Sequence, residues 1–105
     1  MNNHKFDHAD WAKLTMFEQM GNIGSEVGRA LKAKQSGDET RMTAAFYRGL
    51  DLIDATAELW VKQPGRLKEL LRAREQFASA VNGQASGEGL EAYFMAFAFA
   101  ARRPA

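Results

Sequence analysis

The chain of 105 residues carries 14 basic and 13 acidic side chains, a formal net charge of +1, and no cysteine. That length makes one domain with a core of its own, and the near balance of charge supplies no field to gather nucleic acid non-specifically. The missing cysteines exclude a disulfide framework, a thiolate nucleophile and a thiolate zinc site, and they fit a reducing compartment.

The opening stretch MNNHKFDHADW lacks the apolar segment of a signal peptide. Residues 1–8 are therefore expected to be flexible, with Met1 to Lys5 loose, and the protein cytoplasmic. His4 and His8 share one face if this tail is helical, and with Asp7 they could hold a metal. Trp11 and Leu14 are expected to fold a short lead-in back onto the body of the protein.

Thr15-x-x-Glu18 has the form of a capping box and predicts the start of the first long helix. Met16, Phe17, Met20, Val27 and Leu31 recur at helical spacing behind it, and Gly37 closes the helix. Asp38 can cap a second helix whose apolar ridge is Met42, Phe46, Gly49, Ile53 and Trp60, flanked by Leu50, Leu52 and Ala57. Pro64 ends that helix near Gln63. A third helix is predicted from about Arg66 to Asn82, with Leu67, Leu70, Leu71, Phe77, Ala78 and Val81 as its buried face. Residues 83–89 read as the main flexible loop, and Ser86, with Glu88, is placed to cap a fourth helix.

That last helix is apolar on nearly all sides: Leu90, Tyr93, Phe94, Phe97 and Ala101 on one face, Met95 and Phe99 on the other. The alternation at Phe97-Ala98-Phe99 also fits a strand, but the alanine content and the length favour a helix. At about 12 residues the run is shorter than the ~20 a membrane span needs. The expected fold is all-α: an antiparallel up-and-down four-helix bundle with a short N-terminal lead-in. A helix apolar all round must be covered all round, so a homo-oligomer, most simply a dimer built partly on this helix, is expected.

Gly21, Gly24, Ser25 and Gly28 share one side of the first long helix, and each interior glycine costs up to ~1 kcal/mol against alanine. They let something approach closely: a substrate or peptide, or another helix from the same chain or from a second copy. Arg74 falls between Leu67, Leu70 and Val81 on the third helix, and a guanidinium there must find acceptors. Asp54 and Glu91 are the acids best placed to serve it. Arg74 could instead hold an anionic ligand in the core. Asp51, Asp54 and Glu58 on the second helix have spacing that suits Mg²⁺, though a solvated face explains them better. Asn22, Glu26 and Arg29 form a polar cluster on the outer side of the first helix, with Glu26 and Arg29 able to pair. Arg66, Lys68, Arg72 and Arg74 are interrupted by Glu69 and Glu75 and lack interleaved aromatics, so nucleic acid is not expected.

The stretches EQMGNIGSEVGRA (18–30), RGLDLIDAT (48–56), RLKELLRARE (66–75) and YFMAFAFAAR (93–102) resemble, in order, a family of small uncharacterised prokaryotic helical proteins. The resemblance carries no reaction and implies the all-helical fold. A four-helix chain of this size is also similar to HEPN-type bundles, which often dimerise and act as ribonucleases or as partners of nucleotidyltransferases. Their signature, an arginine followed within a few residues by histidine, has no counterpart here, because no histidine follows His8. Helical nucleotide pyrophosphohydrolases use paired E-x-x-E and E-x-x-D motifs. Asp51-x-x-Asp54 loosely resembles the second, and the first is missing.

The leading expectation is a self-associating helical module without catalysis, able to bind a partner protein. The alternatives are a Mg²⁺-dependent pyrophosphohydrolase-like enzyme using Asp51, Asp54, Glu58 and Glu26, and a HEPN-like RNA-associated or toxin–antitoxin component.

Overall fold

The computed structural model describes residues 7–102, which form five helices and no strand: α1 (His8–Ala12), α2 (Met16–Ser36), α3 (Glu39–Leu59), α4 (Pro64–Val81) and α5 (Leu90–Arg102). The four long helices stand where the apolar spacing predicts them, and the lead-in around Trp11 supplies the fifth. Residues 1–6, including His4, lie outside the described residues. Asp7 caps α1 by accepting the amides of Ala9 and Asp10, and His8 is the first helical residue.

Local chemistry sets most of the boundaries. Thr15 Oγ1 accepts the Glu18 amide at 3.1 Å while Glu18 Oε1 accepts the Thr15 amide at 2.8 Å, a complete capping box. Gly37 ends α2 in the left-handed region at φ 77°, and its amide reaches the carbonyls of Ala33 and Lys34. Asp38 accepts the Arg41 amide and opens α3. Pro64 sits in the first turn of α4, where its missing N–H costs nothing, so that helix starts two residues ahead of the expected Arg66. Ser86 departs from expectation: its hydroxyl accepts the Glu88 amide at 3.0 Å inside the connecting turn. Helix α5 begins only after Gly89, whose φ of 82° no helical residue adopts.

Helix α2 is the hub, with α3 and α5 packed along it and α4 leaning mainly on α3. Contacts between α2 and α5 run in opposite directions along the two helices: Gly28 lies by Glu91, Gly24 by Phe94 and Met95, and Phe17 by Phe97. Met20, Ile23, Val27, Ile53, Leu70, Phe77 and Phe94 are almost wholly removed from solvent. Burial of each contributes about 1.5–3 kcal/mol.

A buried polar set fastens α1 to this core. The Trp11 indole N–H donates to Thr56 Oγ1 at 3.0 Å, Thr56 donates onward to the Leu52 carbonyl at 2.8 Å, and Gln19 Nε2 donates to the Trp11 carbonyl at 2.9 Å. Gln19 and Thr56 are the buried polar residues of the core, and both are satisfied.

Two expected core positions are exposed. Leu71 and Phe17 lie at the surface; for Leu71 the reason is that α4 has one principal neighbour and buries only the narrow stripe Leu70, Ala73, Phe77, Ala80 and Val81. Phe17 sits at the rim of the α2–α5 seam, its ring 6.4 Å from that of Phe97. Among the described residues no helix is long and apolar enough to cross a membrane.

Gly24 and Gly28 behave differently on substitution. A Cβ at residue 24 would stand 2.7 Å from Phe94 Cβ, so the two backbones must separate. The nearest atoms to a Cβ at residue 28 belong to the carboxylate of Glu91, which can swing aside. Gly24→Ala is expected to destabilise by about 1–3 kcal/mol, and Gly28→Ala to be neutral or stabilising by up to ~1 kcal/mol through helix propensity. Urea denaturation of both variants against the parent checks this pair of signs.

Candidate functional site

The glycine edge of α2 is occupied by the chain's own α5. Gly24 is buried beneath Phe94 and Met95, Gly28 faces Glu91, and Gly21 and Ser25 are half-buried, with Ser25 Oγ donating to the Gly21 carbonyl at 3.3 Å. The close approach therefore joins two helices of one chain. Met95, expected to need cover from outside, is half-buried, its Sδ 3.0 Å from where a Cβ of residue 24 would stand. Phe99 keeps 69% of its surface exposed. Ala92 and Ala96 are exposed on the same side of α5, at the helical spacing 92, 96, 99. Between Ala92 and Ala101 there is no charged residue.

Arg74 is half-buried at the edge of α4, between the core stripe and α3. Its Nε donates to Asp54 Oδ1 at 2.8 Å and its Nη2 to Oδ2 at 3.2 Å, a two-point fork. That hydrogen bond, with the Asp54 charge, raises the Arg74 pKa above its ordinary value against the opposing effect of burial. Both side chains remain more than a third exposed, so the pair contributes about 0.2–1 kcal/mol. Glu91, the other acid expected to serve Arg74, does not reach it. It lies on the α2 side of α5, beside Gly28.

Asp51 and Glu58 are exposed on α3, and the carboxylate of Asp54 is engaged by Arg74. Among the described residues no three His, Asp or Glu side chains are grouped to hold a metal ion. His8 is among the described residues; its proposed partner His4 lies outside them.

Two polar arrangements escaped sequence reasoning. The Tyr93 hydroxyl donates to Glu69 Oε1 at 2.8 Å across α4 and α5. Glu26, placed by its spacing in an outer solvated cluster, keeps only 13% of its side chain exposed, and its Oε2 takes both Arg48 Nε at 3.2 Å and Arg29 Nη1 at 3.3 Å. Its Oε1 is buried and has no hydrogen-bond partner. Gly49 makes room chiefly for the Phe77 ring, 2.9 Å from where its Cβ would stand; Glu26 Cβ lies at an ordinary 3.5 Å, and Arg48 beside Gly49 reaches across to the carboxylate.

Comparison with family models, with curated proteins and with solved structures finds no match to this chain. The functional reading rests on the geometry alone.

Burial, and then the hydrogen bond and charge of Glu69, push the Tyr93 phenol up to about 12. A phenol whose folded pKa exceeds its unfolded value of 10.0 contributes stability that is complete below pH 10 and is lost as pH rises through about 12. Tyr93→Phe is therefore expected to change stability at pH 7 by less than about 1.5 kcal/mol. It should also flatten the decline between pH 10 and 12. Chemical denaturation across that range, parent against variant, measures the difference.

Proposed function

We propose that the chain is an antiparallel up-and-down four-helix bundle, cross-braced by α1, that works by pairing with a second copy of itself through the outer face of α5. The observation that carries this reading is the strip Ala92, Ala96 and Phe99, exposed and free of charge. An exposed apolar strip of this kind can mark an interaction site. A strip on a single helix is self-complementary about a twofold axis. The two alanines leave room for a partner helix to lie close, and each Phe99 supplies the large apolar anchor that interfaces favour.

Catalysis finds less support. The pyrophosphohydrolase reading needs acids that converge on a cation, and Asp54 is instead committed to Arg74. The HEPN-like reading lacks the arginine–histidine pair, because no histidine follows His8.

Light scattering after size exclusion, at tens of micromolar protein, is expected to give twice the chain mass of 11.7 kDa. Phe99→Glu is expected to give a single chain with unchanged helix content. A parent protein that elutes as a single chain at the same concentration overturns the proposal.

A further inference from the structure

The α2–α3 hairpin encloses a groove of about 550 Å³, within the size range of small-ligand sites. Arg29 and Lys32 of α2 and Arg41 and Arg48 of α3 line it, and Ala33 and Ala45 are the buried apolar part of its wall. Arg48 stands level with Glu26 and Arg29, while Arg41 lies toward the turn at Gly37, near the C-terminal end of α2.

The charge here is not balanced. Glu26 serves both Arg29 and Arg48 through one oxygen, and Asp38 pairs with Arg41 at 3.4 Å. Among the described residues Lys32 has no carboxylate within ion-pair distance. Four cations against two acids leave two positive charges in a groove with an apolar wall. Glu26 also acts as an anchor. It is mostly buried and draws two guanidiniums to one oxygen, Arg48 by a hydrogen bond from Nε and Arg29 by an ion pair, which leaves most of their five N–H donors each uncommitted. Both arginine side chains are more than half exposed, so their remaining donors can turn to an anion, and arginine forks match phosphate oxygens.

The length of the cationic strip narrows the ligand. Arg41 and Arg48 are seven residues apart, about 10 Å along α3, so the four cations fall into two groups along the groove whose long side chains can close on two linked phosphoryl groups. We propose that this groove binds a small molecule bearing a diphosphate group. Arg29 and Arg48, fixed by Glu26, take one phosphoryl group, and Lys32 and Arg41 take the other. The site does not depend on whether the chain dimerises.

Isothermal titration of the full chain with inorganic pyrophosphate tests this directly. Saturable binding is expected, at least about tenfold tighter than for inorganic phosphate or citrate. Adenosine diphosphate in a parallel titration separates the sources of the group: equal affinity assigns recognition to the diphosphate alone, and tighter binding adds a nucleoside lying on the alanine wall. Lys32→Ala, which breaks no ion pair of the fold, is expected to weaken pyrophosphate binding about tenfold. Lys68→Ala on exposed α4 should leave it unchanged, with both variants melting as the parent does. No binding at millimolar pyrophosphate overturns the proposal. Equal affinity for citrate, or equal weakening by Lys68→Ala, does so as well, because either result reports general surface charge.

Discussion

Helix α5 is held chiefly by α2, and α2 can hold it only because residue 24 has no side chain. Phe94 is wholly buried at that crossing, with its Cβ where a side chain of residue 24 would begin. The contact determines much else. It sets the depth at which Leu90 and Phe94 enter the core, and it turns Tyr93 and Phe97 toward Met16, Met20 and Trp60 at the other end of α2. It also leaves Ala92, Ala96 and Phe99 facing outward. A bulkier residue at position 24 would push the helix away and loosen all of these at once, since close-packed interiors do not absorb such shifts.

The same hub explains the distribution of polar groups. Because α2 is flanked by α3 and α5, its acids cannot all face water, and Glu26 ends up largely covered between α2 and α3 with two arginines around it. At the opposite end, Gln19 and Thr56 tie the short helix α1 down through Trp11. Five residues of α1 would not hold a helix alone in water. Its order follows from one buried indole and the two hydrogen bonds that satisfy it and its carbonyl. By contrast, the fork between Arg74 and Asp54 is partly solvated and aligns α3 with α4 at little net energetic gain.

Much of the architecture was legible residue by residue, wherever a short-range rule decides. Thr15 with Glu18, Gly37, Asp38 and Pro64 mark boundaries through interactions within one turn. The stripe through Met20 and Val27 follows from helical periodicity. Periodicity reveals neither how many neighbours a helix has nor where their cover ends, and this is why Leu71 and Phe17 read as core yet lie at the surface. The site was legible in part for the same reason. Arg74 and Asp54 could be matched because both sit at the edges of adjacent stripes. Glu91 could not be excluded as a partner without knowing that its side of α5 faces Gly28. The role of Glu26 depends on Arg48 of α3 meeting it across 22 residues of chain, a long-range fact that spacing within one helix does not record.

Helix α5 is an integral part of the fold, locked at Gly24, and native-state hydrogen exchange tests that most directly. The amide of Phe94 in α5 and that of Val27 in α2 should exchange with the same opening free energy, equal to that of global unfolding. If Phe94 exchanges through an opening several kcal/mol cheaper than that of Val27, α5 detaches on its own, and the crossing at Gly24 is not the constraint on which the structure depends.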